Sequence, residues 1–573
     1  MSVAWVILFL IFNHAYIGNT RFIEDGMHHV NDPLVVATKY GYVRGFYLDN
    51  TRAFYGIPYA IPPTGSLRWT RPSETLSWSP KVLNATEAPN ACIQEEILAY
   101  TNKYSEDCLY LNIYTPNEDI TPNSKLPVIF IIHGGSFKMH SCMNTRNDGR
   151  FLAAKGAVVV TPNYRLGALG FLVTESPDIH GNYGILDQRL AMKFVQENVQ
   201  YFGGDPEKVT IMGPSAGAQS VAIHLTTKNS GTLFTQAILQ DNLFSILYPT
   251  KSQSSASAGD VFAKYVNCSV KDGLCMRTRS AEEILEAQRK TEQEITQDID
   301  LATMLVTGEV WSPVIDGDEI EDNPLSQVQK GKLLQKPLII GSNRDESRVL
   351  LQENVTISME YYLKTLLLIF RLNAVQIVAK YPPKPLTDNG DQLAIVLTDF
   401  LVGCPNRFVA RIARQNRPVF HYIYSFPTPE DFNTTVKCVN YSCHAADVIP
   451  AYGTFSINNI SPSPEMERSS DSMLYYWLNF AHTGDPSNNT WVSFNNGKED
   501  YKADGDKKDQ TADRNIFTTW SQYEKDTGWQ SLDITTPSND ILFDFRKDFC
   551  ELWDDLGYIL GNYFIRYKKC EVE

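Results

Sequence analysis

A serine framed by two glycines is the residue pattern in this sequence with the clearest chemical meaning. Residues 213–217 read Gly-Pro-Ser-Ala-Gly, after the apolar run 209–212 and before small residues suited to a helix. A G-x-S-x-G turn between a strand and a helix is typical of a strained turn that exposes the serine hydroxyl. The glycines let the two backbones approach closely. We therefore expect Ser215 to act as a nucleophile.

A serine hydroxyl is a poor nucleophile at neutral pH, so it needs a base and a third group that orients the base. His444 lies in a loop beyond a predicted strand, residues 419–424, and is the expected base. Asp345 and Glu346 follow another predicted strand, residues 337–340, at the sheet edge where catalytic groups gather. The order serine, acid, histidine fits this type of turn. From these residues alone, either carboxylate can serve as the acid.

A glycine-rich segment supplies candidate donors for an oxyanion. Residues 133–137 read His-Gly-Gly-Ser-Phe and follow the predicted strand 126–132. Glycine lets the backbone N–H groups come close to a substrate oxygen. We expect the N–H groups of Gly135, Ser136 and Ala216 to form this site. His133 itself is interpreted as a packed residue at the strand end.

Apolar runs rich in valine and isoleucine alternate with helical patterns along the chain, which favours a mostly parallel sheet with helices on both faces. Leu186, Leu190, Phe194 and Val195 recur at helical spacing before a glycine pair. We predict an α/β fold in one large domain, residues 19–573, with surface loops at 252–257 and 498–514. The predicted strands are 126–132, 157–161, 209–212, 237–239, 337–340 and 419–424.

The net charge of the chain excludes one class of function, the binding of nucleic acids. The formal net charge is −15 and the pI is near 5.2, and no cluster of basic residues offsets this charge locally. Such a chain repels phosphate backbones, so we expect no nucleic-acid partner. No metal or cofactor site is indicated, and the expected partner is a small molecule.

Several features indicate export. The apolar run 4–12 is too short to span a bilayer and predicts a signal peptide over residues 1–18. No later run reaches transmembrane length. The ten cysteines and seven glycosylation sequons agree with a secreted protein. The sequons are at Asn84, Asn267, Asn354, Asn433, Asn440, Asn459 and Asn488.

At these motifs the chain resembles the type-B carboxylesterase and cholinesterase family of α/β-hydrolases over nearly all of the mature sequence. The resemblance implies that Ser215, Glu346 and His444 form the triad, which selects Glu346 over Asp345. It also implies that Gly135, Ser136 and Ala216 form the oxyanion hole and that Trp311 lines the acyl pocket. The further matching stretches are 54–60, 106–112, 163–171, 202–206 and 313–317.

The resemblance also implies three disulfides, Cys92 with Cys108, Cys268 with Cys275, and Cys404 with Cys550. The partners of the other four cysteines stay open. Cys438 and Cys443 can pair with each other, or either can reach Cys142. Cys570 can link two chains into a homodimer or pair within one chain.

Three positions depart from the family pattern. Pro214 stands where the family usually has glutamate, Ser136 replaces a glycine, and Asp241 with Asn242 replaces a serine and a glycine. The segment 92–108 also contains no tryptophan, the best aromatic face for a choline cation, which argues against a cholinesterase. Asp447 is interpreted as a group behind the triad or a surface acid, and Asp241 has no role in this interpretation.

The leading hypothesis is a secreted serine carboxylesterase. The alternative is a secreted binding or adhesion protein that has kept the fold. The three departures favour this alternative, and the intact triad argues against it. A lipase shares the same chemistry and differs in its lid and pocket. The sequence does not separate an esterase from a lipase.

Overall fold

An eleven-stranded sheet forms the centre of the molecule in the computed structural model, which describes residues 22–23, 32–95, 103–118, 120–296, 309–351, 355–430, 436–488 and 517–558. Its strands, numbered in chain order, are β1 (Phe46–Leu48), β2 (Thr51–Pro58), β3 (Tyr110–Pro116), β4 (Leu126–Ile131), β5 (Val158–Pro162), β6 (Gly204–Pro214), β7 (Gln236–Gln240), β8 (Leu338–Asn343), β9 (Val419–Tyr424), β10 (Gln530–Ile534) and β11 (Asp540–Phe543).

The spatial order of the strands is β11-β10-β9-β8-β7-β6-β4-β5-β3-β2-β1. From β10 to β5 every neighbouring pair is parallel, and antiparallel pairs occur only towards the two edges. Strands β6, β7, β8 and β9 are therefore neighbours whose carboxyl ends lie at the same edge of the sheet. Loops that follow these four strands carry the candidate site.

Two smaller sheets complete the strand inventory of the described residues. One pairs Phe22–Ile23, Val82–Asn84, Gly41–Arg44 and Val35–Thr38, and the other pairs Ala91–Cys92 with Tyr104–Ser105.

Helices cover both faces of the central sheet. The longer ones are α1 (Tyr183–Asn198), α2 (Ala216–Thr226), α3 (Ala281–Thr296), α4 (Met359–Phe370), α5 (Gly390–Thr398), α6 (Cys404–Ala413), α7 (Pro464–Thr483) and α8 (Lys547–Leu556). Shorter helices are Arg150–Ala154, Gly167–Phe171, Lys251–Ser254, Asp260–Tyr265, Gly273–Arg277, Pro324–Gln329, Ala374–Lys380 and Val448–Tyr452.

The alternation of side chains along β4 shows why helices cover both faces of the central sheet. Val128 and Phe130 join one buried cluster, together with residues of α1 and α2, while Ile129 and Ile131 join a second cluster that contains Trp477 of α7. Successive side chains of a strand point to opposite faces, so a strand with apolar residues at every position needs a cover on each side. This is the α/β-hydrolase architecture that the sequence predicts.

Four of the six predicted strands begin and end within one residue of the observed ones. The prediction of residues 337–340 stops three residues before β8 ends at Asn343. The prediction for β6 covers only residues 209–212, whereas the strand begins at Gly204, directly after Gly203 ends a short helical turn with φ +83°. The expectation of a surface loop at 252–257 is wrong: helix Lys251–Ser254 continues through a wider helical turn, Ser255–Gly259. The side chain of Thr250 caps this helix by accepting the Gln253 N–H, a signal for a helix start.

Two helical segments among the described residues are long and apolar enough to be candidates for crossing a membrane. They are Met359–Lys380 and Gly390–Asn416, of which 39% and 83% respectively are buried in the protein. The buried share of the second segment is that of a core helix. Length and composition alone make the pair weak evidence, and no clear membrane span emerges.

Four cysteine pairs lie at disulfide distance. Three of them are the pairs that the family resemblance implies, Cys92–Cys108, Cys268–Cys275 and Cys404–Cys550. The fourth joins Cys438 and Cys443, directly before His444. Cys142 is buried and has no disulfide partner among the described residues. Cys570 lies outside the described residues, as do the predicted signal peptide and the predicted loop at 498–514. Four disulfides are consistent with folding in an oxidising compartment.

Candidate active site

Ser215 occupies a strained turn between β6 and α2. Its backbone has φ +56° and ψ −125°, a region that residues other than glycine rarely adopt. A Cβ at Gly213 would lie 2.5 Å from the carbonyl oxygen of Ile132, and one at Gly217 would lie 2.1 Å from the same oxygen. Both glycines are therefore required because the end of β4 passes directly against the turn. The motif positions Ser215 at the carboxyl edge of the sheet.

His444 is held by the carboxylate of Glu346. The imidazole Nδ1 lies 2.6 Å from Glu346 Oε2, and the His444 N–H donates to the Glu346 carbonyl oxygen at 3.3 Å. The other carboxylate oxygen of Glu346 accepts the Asn343 N–H at 2.7 Å. The Glu346 side chain is 1% exposed and the His444 side chain is 24% exposed. With Nδ1 bound to the acid, Nε2 remains available to a hydroxyl.

The charge of Glu346 governs the protonation of the histidine. Burial on its own lowers the pKa of His444, but the coulombic field and hydrogen bond of Glu346 outweigh burial and raise this pKa above its usual value. Asp447 and Glu309 add smaller contributions in the same direction. The raised pKa makes the imidazole a stronger base than a free histidine.

Two hydrogen bonds connect the turn at Ser215 with the loop that contains His444. The Ser215 N–H donates to the carbonyl oxygen of Gln240 at 3.0 Å. The next residue, Asp241, accepts the Ala445 N–H through Oδ2 at 3.1 Å. Two hydrogen bonds thus tie the turn at Ser215 to the residue that follows His444.

The glycine-rich segment lies directly against Ser215. A Cβ at Gly134 would lie 2.6 Å from the Pro214 carbonyl oxygen and 3.3 Å from the Ser215 Cβ. Gly135 and Ser136 both have positive φ, +108° and +50°. Neither of their N–H groups has a protein acceptor among the described residues. Ala216 is the first residue of α2, where N–H groups lack intrahelical acceptors.

Two further carboxyl groups lie behind the triad positions. Asp447 is fully buried and accepts hydrogen bonds from the Tyr422 hydroxyl at 2.8 Å and from Gln240 Nε2 at 3.2 Å. Asp241 is also fully buried, and Asp241, Glu346 and His444 each offer an atom within 4.8 Å of the others. The 2.6 Å contact between His444 and Glu346 is a hydrogen bond, which leaves no room for an ion between those two atoms.

Comparisons with known proteins agree on one family. The family model described as "Carboxylesterase family" matches residues 32–553. The chain belongs to the carboxylesterase family.

Relatives match most of the chain. The "cAMP-regulated D2 protein" of Dictyostelium discoideum is 33% identical over 84% of this chain and 89% of its own length, and the "Cholinesterase" of Mus musculus is 30% identical over 83% and 84%. A solved "THERMOPHYLIC PNB ESTERASE" has a TM-score of 0.74 and 26% identity, covering 90% of this chain and 99% of its own. These similarities support carboxylic ester hydrolysis as the coarse class of activity.

Sequence reasoning missed Glu309. Burial raises its pKa to about 7, against smaller opposing effects of the Ser136 hydroxyl, Lys138 and His444. Its Oε2 is buried and has no hydrogen-bond partner among the described residues. Glu309 therefore places a carboxyl group beside Ser136 of the glycine-rich segment. The available signal was an acidic residue two positions before Trp311, in a segment adjoining the family stretch 313–317.

The remaining expectations have the following places in the structure. His133 is 2% exposed and stacks on Tyr164 with ring centroids 4.4 Å apart, as a packed strand-end residue does. Trp311 is 1% exposed and packs against Phe262. Asp345 accepts the Ser442 N–H at 3.1 Å instead of contacting the imidazole. Asp447 lies behind the triad positions, so its interpretation as a surface acid is wrong.

Proposed function

We propose that this protein is a secreted serine carboxylesterase that cleaves carboxylic esters through an acyl-enzyme intermediate. The observation that carries the proposal is the 2.6 Å contact between His444 Nδ1 and Glu346 Oε2, together with a serine held in a strained turn. A strained serine, an oriented imidazole and unpaired backbone N–H groups are the three parts that acyl transfer needs.

In the first half of the reaction, Ser215 Oγ attacks the ester carbonyl carbon while His444 Nε2 takes the hydroxyl proton. The N–H groups of Gly135, Ser136 and Ala216 stabilise the negative oxygen of the tetrahedral intermediate. The intermediate expels the alcohol, which receives the proton from His444. The acyl group remains bound to Ser215 as an ester.

In the second half, a water molecule gives a proton to His444 Nε2 and attacks the acyl carbon. The second tetrahedral intermediate releases the carboxylic acid, and the proton returns to Ser215 Oγ. Throughout, Glu346 stays ionised and stabilises the imidazolium that forms twice in each cycle.

The secretory route is part of the same proposal. Asn267, Asn440, Asn459 and Asn488 are exposed, as glycan acceptors must be. Asn84 is half-buried at the end of a strand, and Asn354 and Asn433 lie outside the described residues. Four disulfides support an oxidising compartment.

The proposal is tested by hydrolysis of p-nitrophenyl acetate, butyrate and decanoate, beside acetylthiocholine, by the secreted protein and its Ser215→Ala variant. We expect serine-dependent cleavage of the p-nitrophenyl esters, with kcat reduced about 10⁶-fold in the variant. Acetylthiocholine should be a poor substrate because position 214 carries no charge. The chain-length preference also separates an esterase from a lipase.

Equal rates for the two proteins would contradict the mechanism. No turnover of any ester by a folded protein would instead favour the binding-protein hypothesis. Circular dichroism of both proteins provides the control for folding.

A further inference from the structure

We propose that Asp241 is a positioning residue: a carboxylic acid that stays protonated, shares its proton with Asp447 and anchors the His444 loop through Ala445. This inference rests on the proposed function for its kinetic consequences. It assigns a role to a position where the family usually has serine.

Only one of the two carboxyl oxygens of Asp241 has a hydrogen-bond donor among the described residues. Its Oδ2 accepts the Ala445 N–H at 3.1 Å, and its Oδ1 is buried with no donor among the described residues. The charged groups that act most strongly on it are Asp447 and Glu346, both carboxyls. Among the described residues, no lysine or arginine forms an ion pair with any of these three acids.

Three carboxylates cannot all be ionised in such a site. Burial disfavours each charge, and like charges at short range disfavour each other. His444 can supply one positive charge at most, and only while it is protonated. At least one proton must therefore be held within the group.

The count of hydrogen-bond donors decides which acid holds the proton. Asp447 has the Tyr422 hydroxyl, Gln240 Nε2 and the Asn343 amide group at 3.4 Å as donors. Glu346 has the Asn343 N–H, the same amide group at 3.4 Å and the His444 imidazole. Asp241 has only the Ala445 N–H among the described residues. Donors stabilise the ionised form, so Asp241 is the acid that remains neutral.

The electrostatics agree with this assignment. Burial, followed by the charges of Asp447 and Glu346, raises the pKa of Asp241 well above its usual value. Side-chain interactions with Glu346 and Asp447 raise the pKa of Asp241 further. The interaction with Asp241 lowers the pKa of Asp447, against the larger effect of burial. The tyrosines that face the cluster are Tyr422, Tyr424 and Tyr452, whose pKa values burial raises so far that all three stay neutral.

A neutral Asp241 has two consequences for the site. Its O–H group donates to the Asp447 carboxylate, while its other oxygen holds Ala445, whose φ is +66°. Glu346 is then left as the ionised carboxylate paired with the imidazole. An ionised Asp241 would repel Glu346 and loosen the loop that orients His444.

Two substitutions separate the protonated acid from an ionised one. Asp241→Asn keeps an acceptor for the Ala445 N–H and a donor for Asp447, so we expect kcat within about threefold of wild type. Asp241→Ala removes both bonds, and we expect kcat to fall about 10- to 100-fold with KM little changed, as for other groups that orient a catalytic side chain. Hydrolysis of p-nitrophenyl butyrate from pH 6 to pH 9 measures both.

Thermal unfolding over the same pH range tests protonation without reference to activity. A buried acid with a raised pKa stabilises the fold fully below its unfolded pKa, and that contribution declines as pH rises towards the folded pKa. Asn does not ionise, so the Tm of Asp241→Asn should rise relative to wild type as pH increases. Glu319→Gln is the matched control. Burial opposes the ionisation of Glu319, but Arg189 and Arg71 hold its pKa at about 2, so it stays ionised over this range. The difference in Tm between Glu319→Gln and wild type should therefore be the same at every pH.

The proposal is overturned if Asp241→Asn loses as much kcat as Asp241→Ala, or if its Tm runs parallel to wild type at every pH. If Asp241→Ala does not fold, the kcat and the Tm of Asp241→Asn, each compared with wild type, still decide whether Asp241 is protonated. If wild type hydrolyses no ester, the proposed function fails, and the Tm measurement alone decides whether Asp241 is protonated.

Discussion

In the proposed mechanism, the protonation of His444 sets the pH range in which Ser215 can react. Glu346 raises the pKa of the imidazole above its usual value by its charge and its 2.6 Å hydrogen bond, against the opposing effect of burial. Activity should therefore rise with pH through this raised pKa, because only the neutral imidazole accepts the serine proton.

Glu346→Gln should lower kcat about 10⁴-fold, since the amide neither stabilises the imidazolium nor fixes the correct tautomer. It should also move the acid limb of the kcat/KM profile to lower pH, because the charge that raises the pKa of His444 is gone. The pH dependence of p-nitrophenyl butyrate hydrolysis measures both effects.

Asp345→Asn is the control for this substitution, since Asp345 accepts the Ser442 N–H and does not touch the imidazole. Its loss of activity should be far smaller. A larger loss for Asp345→Asn than for Glu346→Gln would show that the acid has been assigned to the wrong carboxylate.

Ser215 and His444 could be proposed from sequence because each follows a recognisable strand, whereas the choice of Glu346 over Asp345 came only from the family resemblance. The role of Asp241 could not, because it depends on how closely three loops far apart in sequence approach one another. Glu309 was missed for a related reason: no local pattern distinguishes an acid that faces Ser136 from one that faces solvent.

At the scale of elements, the crossing of α2 and the end of β4 sets the shape of the turn at Ser215. A Cβ at Gly217 would lie 2.1 Å from the Ile132 carbonyl oxygen, and backbone on both sides prevents relief. The close approach of β4 thus explains why the motif requires glycine at position 217.

Gly217→Ala should destabilise the fold by about 1–3 kcal/mol or more, because the added methyl group forces the strand and the helix apart. Gly231→Ala is the matched control: Gly231 has φ −60°, and its nearest neighbour to an added Cβ is 3.4 Å away. We expect that variant to be as stable as wild type or slightly more stable. Thermal unfolding of both variants is the measurement, and equal Tm values for the two would contradict the steric explanation.

Element boundaries show where sequence patterns stop being informative. Strand β9 is observed over the predicted residues because all six of its side chains are buried and only His421 interrupts the aliphatic and aromatic run. Strand β6 extends back to Gly204 through polar residues that the apolar run does not include. The helix at Lys251–Ser254 was mistaken for a loop because its serines favour turns, while the capping bonds between Thr250 and Gln253 are made only once the helix forms.

At the scale of the whole molecule, the parallel strand order gathers four separate loops at one edge of the sheet. Ser215 follows β6, Asp241 follows β7, Glu346 follows β8 and His444 follows β9. The alternation of apolar runs and helices was enough to predict six of the eleven strands, including these four, but not the strands at the two edges of the sheet. Sequence could not predict the pairing of Cys438 with Cys443, because several partners were within geometric reach before the fold was known.

The most direct test of the central claim is covalent labelling of the folded, secreted protein with a fluorophosphonate, read by intact mass and by peptide mapping. The account predicts one phosphonyl group for each chain, located on Ser215, and no label on the Ser215→Ala variant. A folded wild-type protein that takes up no label, or takes it up equally in the variant, would contradict the assignment of Ser215 as the nucleophile.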